Sequence, residues 1–517
     1  MRTTGKTGLA LIALCALAAC STETIIRHDD APGSGTGTPG DETGTSVDPN
    51  DPAAVNGTTD PEAPQAPLAA GLAVKDIAVY QGVKVLVVKD GKWVGSRNAP
   101  VVAQRTALVR VFVTPNDSWS GKSITAELRL ESGSTKHPLI KDTKAIAAAS
   151  TDTDLKSTFN FEVPAELLTK DVTFSVALTD PKGEDPAQAS PARFPNDGTQ
   201  KNLAAEVGGA VKIVVVPVKY DTDGSGRTPD VSQAQIDLYK ETVMAMYPTS
   251  EVQITVHAPY SWKNTIAGNG TGWDTVLRGI TELRQQERPA SDVYYYGLLA
   301  PKSSFSSFCQ GGCVTGLSTV VANPNTSYLR ASVGVGYLGQ DSANTMAHEV
   351  GHAHGREHAP CGGAQGVDPD FPYSGALIGV WGYNILTKAF ISPTKGHDMM
   401  GYCPNEWVSD YTFSALFDRI ATISLPTTTS KSGGTSGGSF QARIATVAAD
   451  GVVSLDGAQD VTIDEPLTDG VEVEGVSGAR FYKFDHMAGG FLVLPKSAIT
   501  TSIKRLDVNG VRATLSR

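Results

Sequence analysis

Three features are missing from this chain of 517 residues. No segment after the first twenty residues is apolar for long enough to span a bilayer as a helix. Lysine and arginine form no block in the body of the chain and the formal net charge is −11, which argues against nucleic acid as a partner. The sequence also contains no internal repeat. We interpret the acidity as a contribution to solubility.

The N-terminus has the pattern of an export signal. Arg2 and Lys6 precede an apolar run from Leu9 to Ala19. This run is too short to span a bilayer as a mature helix, and a basic start followed by a short apolar run is typical of a signal peptide. Residues 1–19 are therefore predicted to be cleaved on export.

The end of that run, Leu17-Ala18-Ala19-Cys20, resembles the lipobox of bacterial lipoproteins. The resemblance implies that Cys20 is acylated and anchors the protein to a membrane through lipid chains, with no spanning helix. Ser21 follows in place of Asp, which in such lipoproteins implies the outer membrane, with the body facing the periplasm or the cell surface. The alternative is an ordinary cleavage site followed by an unrelated cysteine.

Composition shifts divide the rest of the chain. Residues 29–67 are rich in Gly, Pro, Thr and acid and contain no Lys or Arg, so they cannot bury enough apolar surface to offset chain entropy. A second break, TTTSKSGGTSGGS, precedes the last stretch. The predicted order is a signal peptide (1–19), a disordered tether (20–70), a β-sandwich domain (71–185), a central α/β domain (205–425), a linker (426–439) and a small β domain (440–517).

Residue periodicity predicts a multidomain α+β protein. Short β-rich runs such as DIAVYQGVKVLVV and VTFSVAL, separated by turn residues, favour an immunoglobulin-like β-sandwich near the N-terminus. In the central region the strands VKIVVVPV, VQITVHAP and DVYYYGLL alternate with two amphipathic helices, which is typical of an α/β layout. Period-two alternation in FQARIATV and GVRATLS predicts an all-β C-terminal domain.

The stretch HEVGHAHGREHAPC contains four of the nine histidines. A helix capped by Asp341 or Ser342 would place His348 and His352 one turn apart on the same face, where both can reach one metal ion. Glu349, next in sequence to the first histidine, would then reach a water on that metal.

The same stretch supplies a helix end and a third ligand. Gly355 can adopt positive φ and end the helix. The chain can then turn so that His358 becomes the third ligand. His354 lies two residues past His352 and points to another face, so we interpret it as structural or as a neighbour of the ligands.

The full pattern, His-Glu-x-x-His-x-x-Gly-x-x-His, resembles the zinc-binding signature of the metzincin metallopeptidases. These enzymes also carry a methionine turn beneath the metal, and KGHDMMGYC contains Met400-Gly401-Tyr402 in that form. In the astacin and serralysin branches this tyrosine ligates zinc or hydrogen-bonds the transition state, so the resemblance implies that role for Tyr402. The alternative is a Met and a Tyr buried in an ordinary core.

The resemblance covers roughly Lys212 to Leu425 and is strongest from Asn344 to Tyr402. It implies a metzincin-like catalytic domain over 205–425, flanked by the two β domains, which fall outside the resemblance. Secreted bacterial metzincins with accessory β domains include enzymes that cleave mucin-like glycoproteins, so a protein or glycoprotein substrate is expected.

The ligand set predicts a zinc-dependent endopeptidase. Three neutral imidazoles leave zinc with its double charge and an open position, where water becomes acidic near neutral pH. Glu349 would take the proton of that water and pass it to the leaving amine. The alternative function is a surface-anchored binding or adhesion lipoprotein with an inert zinc site. The presence of Glu349 inside the motif argues against that alternative.

Two segments near the motif are candidates for substrate contacts. GLSTVV, Gly316 to Val321, has the composition of an edge strand on which an extended substrate could pair. WGYN, Trp381 to Asn384, could shape a pocket on the primed side. The alternatives are a core strand and a buried aromatic turn.

Four cysteines remain once the signal peptide is removed and Cys20 is lipidated, and export predicts that they form disulfides. Cys361 follows the third histidine by three residues and Cys403 follows Met400 by three, so a bridge between them would join the two loops. That bridge would leave Cys309 to pair with Cys313. The two other connectivities stay open.

A second metal is a weaker expectation. The segment DTDGSGRTPD, Asp221 to Asp230, resembles an acidic calcium loop. The twelfth position is Ser232, where a calcium-binding hand needs Glu. A polar turn between a strand and a helix is the alternative.

Overall fold

The computed structural model describes residues 66–183, 190–425, 439–449, 451–467, 470–473, 476–499, 506–508, 511–513 and 515–516. The predicted signal peptide, Cys20 and most of the predicted tether lie outside these residues, as does the predicted linker apart from Ser439. Within the described ranges, no helix has the length and apolar character needed to cross a membrane.

Two antiparallel sheets form the N-terminal module, with strand orders β3-β2-β1-β4-β8 and β10-β9-β5-β6; β7 and β11 also pair with β5 and β9. In the first six residues of β9, buried and half-buried side chains alternate, as the period-two pattern predicts. Side chains of both sheets share one hydrophobic cluster. An immunoglobulin-like topology stays a prediction. The strands are β1 (Leu72–Tyr80), β2 (Lys84–Lys89), β3 (Lys92–Trp93), β4 (Ala107–Pro115), β5 (Lys122–Ser132), β6 (Thr135–Lys136), β7 (Ile140–Ile146), β8 (Phe159–Val163), β9 (Val172–Thr179), β10 (Arg193–Phe194) and β11 (Lys201–Asn202).

A mostly parallel sheet with helices occupies the central region, as the alternating pattern predicts. The strand order is β13-β12-β15-β17-β16, with β14 beside β12, and β16 is an antiparallel edge strand. The strands are β12 (Ala210–Tyr220), β13 (Glu251–Val256), β14 (Tyr260–Trp262), β15 (Val293–Leu299), β16 (Gly316–Ser318) and β17 (Ala331–Val335). The helices are α1 (Gln233–Met246), α2 (Trp273–Glu287), α3 (Phe305–Phe308), α4 (Gln340–Ala353) and α5 (Asp410–Ser424).

Two small strand pairs lie between α4 and α5. The first pair is antiparallel and the second is parallel. They shape the long connection that follows the histidine helix. The strands are β18 (Gly382–Tyr383), β19 (Phe390–Ile391), β20 (His397–Asp398) and β21 (Glu406–Trp407).

The C-terminal region is a β-sheet of order β25-β26-β27-β22-β23-β30, with β24 beside β22 and a separate β28-β29 pair. Its apolar face shares one hydrophobic cluster with α2, in which Ile444 and Phe491 join Trp273 and Ile280. The sequence predicted a separate domain, and the structure shows that this domain docks on α2. The strands are β22 (Phe440–Val447), β23 (Val453–Ser454), β24 (Asp460–Ile463), β25 (Val471–Glu472), β26 (Arg480–Lys483), β27 (Gly490–Pro495), β28 (Leu506–Val508), β29 (Val511–Ala513) and β30 (Leu515–Ser516).

A buried arginine fixes the N-terminal sandwich to the central region. The Arg105 guanidinium donates hydrogen bonds to the carbonyls of Met244 at 2.6 Å and Thr249 at 2.7 Å. Carbonyls in the last turn of a helix lack partners within the helix, so a cation there satisfies them and interacts favourably with the helix dipole. The sandwich is thereby held against α1, which packs against the histidine helix α4.

Candidate active site

Helix α4 carries the first two histidines and starts at a point that tertiary contacts determine. The helix begins at Gln340 after Gly339, whose amide donates to Gln235 Oε1 of α1 at 2.8 Å. The predicted cap at Asp341 or Ser342 was wrong, because the partner that fixes this helix start is on another helix. The end agrees with the expectation, since α4 stops at Ala353 and Gly355 has φ 88°.

The three predicted ligands converge on one point. The Nε2 atoms of His348 and His352 are 3.0 Å apart, and those of His352 and His358 are 3.1 Å apart. His348 and His358 complete the triangle at 3.3 Å. Tetrahedral zinc with Zn–N bonds of about 2.05 Å places its ligand atoms about 3.3 Å apart. The triangle therefore has nearly the size that one zinc ion requires.

The remaining ring nitrogens fix the tautomer of each imidazole. Nδ1 of His348 lies 2.6 Å from the Met399 carbonyl. His352 and His358 use Nδ1 in the same way, at 2.6 Å from the carbonyls of Arg356 and Gln365. A carbonyl only accepts, so each Nδ1 must donate, and in a neutral ring Nε2 then carries a lone pair.

Three lone pairs facing one another need a cation between them. Burial lowers the pKa of all three imidazoles, to about 4 for His348. The rings are thus neutral near pH 7 and available as ligands. The donor set fits a metal ion, and nitrogen donors in this geometry suit zinc.

Glu349 lies beside the triangle. Its side chain is buried and faces Gly316 of the edge strand β16. Burial and the nearby Asp485 carboxylate raise the pKa of Glu349 well above its usual value. Within the described part of the chain, its Oε2 atom has no hydrogen-bond partner. A buried carboxyl group in this position could act on a bound water or substrate.

Met400 lies beneath the helix, as the methionine-turn pattern predicts. A methyl group on Gly351 would come within 2.6 Å of the Met400 sulfur, so a glycine at this point of α4 allows the close approach. The turn itself is held by Asp398, whose carboxylate accepts hydrogen bonds from the amides of Met400 and Ser409, each at 2.9 Å.

Tyr402 reaches the triangle of Nε2 atoms. Its hydroxyl lies 2.9 Å from His358 Nε2, and the residue is 44% exposed. The structure pairs Cys361 with Cys403 and Cys309 with Cys313, which is the connectivity that the sequence favoured. The first bridge joins the loop of the third ligand to the methionine turn, and it holds Tyr402 next to His358.

A cleft of about 440 Å³ opens beside the triangle and is lined by Gly316, Asn344, His348, Glu349, Tyr402 and His486. The GLSTVV segment contributes β16, which is the edge strand that the sequence predicted. WGYN lies elsewhere, against the N-terminal sandwich, where the amide of Lys84 donates to the Trp381 carbonyl at 2.8 Å. The expectation of a pocket-shaping role for WGYN was wrong, because its backbone pairs with the edge of another module.

Two further expectations concern residues away from the triangle. His354 is buried and stacks on Tyr294 with ring centroids 4.1 Å apart, as a structural histidine would. In the acidic loop, Asp223 pairs with Arg227 at 2.8 Å and Asp230 accepts from the Ser232 amide at 2.8 Å. Both carboxylates already have protein donors, and calcium at this loop stays a prediction.

Sequence reasoning missed two aspartates. Asp398 had a local signal, since it lies two residues before Met400 in the methionine-turn segment. Asp485 had none, because it belongs to the C-terminal β domain, more than a hundred residues from the motif. In the structure it joins the three histidines as a potential metal-holding group.

Comparisons with known proteins agree with a metallopeptidase. A family model described as Peptidase M66 matches residues 326–407, a segment that includes the three histidines, Glu349 and the methionine turn. No curated protein matches the chain. Among solved structures, a chain described as "Structure of a chaperone-substrate complex" matches at 14% identity with a TM-score of 0.23, covering 52% of this chain and 39% of that one. The family match supports a peptidase, and the histidine cluster fits a metal ion.

Proposed function

We propose that the chain is a metzincin-type zinc endopeptidase that hydrolyses peptide bonds of extracellular or envelope proteins or glycoproteins. The observation that carries this proposal is the triangle of Nε2 atoms, 3.0 to 3.3 Å on a side, with Glu349 beside it. When bound, zinc would polarise the scissile carbonyl and make water acidic. The family match to a peptidase supports the same reaction class.

Glu349 is the proton carrier in this proposal. It would take a proton from the attacking water and deliver it to the leaving amine. Burial raises the pKa of its carboxyl group, which makes the ionised carboxylate a stronger base for the first step. Tyr402, with its hydroxyl 2.9 Å from His358 Nε2, would donate a hydrogen bond to the oxygen on which negative charge develops.

The edge strand β16 would position the substrate. β16 is the last strand on one side of the central sheet. An extended peptide can add to such an edge strand through main-chain hydrogen bonds. Gly316 of this strand and Glu349 of α4 line the same cleft. A peptide paired there would pass within reach of the proton carrier.

Glu349→Gln and His352→Ala test this proposal on the same purified protein. The glutamine variant keeps the ligands and the side-chain size, so we expect about one zinc per chain and at least roughly a 10²-fold loss of casein cleavage. The alanine variant removes a ligand and should lose zinc. Exposed Glu241 on α1 provides a matched control, because Glu241→Gln should change neither quantity.

Undiminished cleavage by Glu349→Gln would overturn the role of Glu349. Zinc binding without cleavage of any member of a broad peptide library, in wild type and in an Asp485→Ala variant, would contradict the peptidase proposal. That result would instead favour the alternative of a surface binding protein.

We also propose that the protein is exported and anchored to the bacterial outer membrane through acylated Cys20. The support is the sequence Leu17-Ala18-Ala19-Cys20 after a short apolar run. Cys20→Ser should release the protein from the membrane fraction and leave its peptidase activity unchanged. Retention of this variant in membranes after a high-salt wash would contradict the anchor.

A further inference from the structure

A turn of the C-terminal domain enters the active site. Residues 484–489 connect β26 to β27, and the side chain of Asp485 in this turn is completely buried. Its Oδ2 atom lies 3.4 Å from His352 Nε2. This separation is close to that of two neighbouring ligands on one tetrahedral zinc ion, about 3.3 Å. With the three imidazoles, Asp485 offers four ligand atoms that all lie within 4.8 Å of one another.

The turn lies along the strand that a substrate would use. The Asp485 amide donates to the Ser318 carbonyl at 3.1 Å, and the Ser318 amide donates to Asp485 Oδ1 at 3.3 Å. Phe484 and Thr319 form an antiparallel bridge. A peptide substrate and the 484–489 turn therefore compete for the same backbone edge.

The opposite side of the turn also touches the active site. A methyl group on Gly366, in the loop after the third ligand, would come within 3.1 Å of the Asp485 carbonyl. The turn thus lies between the edge strand β16 and the loop that carries His358. The 440 Å³ cleft upstream of Ser318 stays open, so the turn blocks the path of an extended substrate at Ser318 and Thr319.

Asp485 places a buried carboxylate next to the three imidazoles. A fully buried carboxylate is costly unless a positive charge or several donors compensate it. The ion-pair partners that the described residues give Asp485 are His352 and His486. His352, as a metal ligand with a neutral ring, would bring no charge, whereas His486 Nδ1 lies 2.7 Å from Asp485 Oδ2 and donates a hydrogen bond to it. A divalent metal among the three Nε2 atoms would add positive charge next to this carboxylate.

The C-terminal domain is held firmly enough to keep the turn in place. Tyr482, on β26 just before the turn, hydrogen-bonds Tyr328, and the Ser327 hydroxyl donates to Glu465 at 2.8 Å. Arg278 of α2 donates to the Ser454 carbonyl at 3.3 Å. These contacts add to the shared hydrophobic cluster on α2.

We propose that Asp485 is a fourth protein ligand of the metal and that the 484–489 turn keeps the active site closed to substrate. The C-terminal β domain is then a built-in inhibitor, and a protein substrate or a partner must displace the turn before hydrolysis begins. This inference rests on the proposed metal site, and it deepens the proposed function by assigning a regulatory domain to it.

Binding of a small chelator tests the inference without relying on hydrolysis. The full chain is loaded with Co²⁺, whose visible absorption reports its ligands, and is titrated with acetohydroxamate. We expect Asp485→Ala to change the cobalt spectrum and to bind acetohydroxamate at least about tenfold more tightly than wild type. Asp485→Asn, which keeps the side-chain shape, should also bind it more tightly. Asp464→Ala, at an exposed aspartate of the same domain, should behave as wild type.

Each outcome decides the matter. Equal chelator affinity and equal spectra in wild type and Asp485→Ala would overturn the inference. Loss of metal from both Asp485 variants would overturn the closing role, since the metal would then require Asp485 and a substrate could not displace it. Tighter chelator binding without peptide cleavage would support the closed site and contradict the peptidase function. Cleavage that rises in Asp485→Ala and disappears in the Asp485→Ala, Glu349→Gln double variant would support both the closed site and the peptidase function.

Discussion

Gly316 leaves the space that the carboxyl group of Glu349 fills. A methyl group at Gly316 would overlap the Glu349 side chain. We therefore expect Gly316→Ala to displace Glu349 and to lower kcat by at least roughly tenfold, because a shift of about 1 Å at a reacting group can cost 10²-fold. Zinc content should stay at the wild-type level, since the three atoms nearest the new methyl group all belong to Glu349. Steady-state kinetics and metal analysis on one preparation check both expectations.

Gly95→Ala is the matched control for this prediction. A methyl group there would meet nothing within 4 Å, so both stability and kcat should be unchanged. A fully active Gly316→Ala enzyme would show that Glu349 can act from a different position.

Tyr402→Phe should separate metal binding from rate. The Tyr402 hydroxyl lies 2.9 Å from His358 Nε2, and the phenylalanine variant removes that hydroxyl alone. We expect kcat to fall by roughly 10- to 10²-fold with little change in KM, as for the loss of a hydrogen bond formed in the transition state. Tyr411→Phe removes a hydroxyl that donates to Asp368 at 2.9 Å, and it should leave kcat unchanged. A rise in KM with constant kcat in Tyr402→Phe would contradict this role.

The two disulfides should contribute unequally to the free energy of unfolding. Cys361 and Cys403 are 42 residues apart, whereas Cys309 and Cys313 are 4 apart. On the chain-entropy model, the longer loop corresponds to about 4 kcal/mol and the shorter to about 2 kcal/mol. The Cys361→Ser, Cys403→Ser double variant should therefore show the larger loss of unfolding free energy, and it should also bind zinc more weakly. Denaturant titration with metal analysis tests this. Equal effects of this variant and of the Cys309→Ser, Cys313→Ser double variant would contradict it.

The docked C-terminal sheet should make stability depend on pH. Glu282 of α2 is buried and accepts a hydrogen bond from the Gln459 amide at 3.1 Å, beside Arg278. Burial raises its pKa from 4.5 to about 7. Folding therefore favours the protonated form of Glu282. The contribution of this group to the free energy of unfolding is complete below about pH 4.5 and is lost as the pH rises through 7.

Glu282→Gln mimics the protonated form and should stabilise the protein at pH 8 by up to about 3 kcal/mol. The gain should disappear near pH 4.5. Thermal unfolding at the two pH values measures it, with Glu241→Gln as the exposed control. A destabilised Glu282→Gln protein at pH 8 would mean that the ionised carboxylate stabilises Arg278 by more than its burial costs.

Local patterns were sufficient where neighbours in sequence decide the structure. The spacing of His348, His352 and Gly355 follows from helix periodicity and from the positive φ that glycine allows, and both appear in the structure. The strands and helices of the central region follow from their apolar periodicity. The start of α4 could not be predicted from local residues, because Gln235 of another helix accepts a hydrogen bond from the Gly339 amide. The role of WGYN also depended on a partner in another module.

The sequence by itself predicted that three imidazoles and a glutamate lie together, that Met400 lies near them, and that β, α/β and β regions follow one another, because each depends on residues close together in the chain. Only the tertiary structure placed Asp485 against His352, although 133 residues separate them. That contact arises because the C-terminal sheet buries its apolar face on α2, and hydrophobic burial has no direction that a local pattern could reveal. Docking on α2 brings the 484–489 turn to the edge strand, where free backbone groups pair with it.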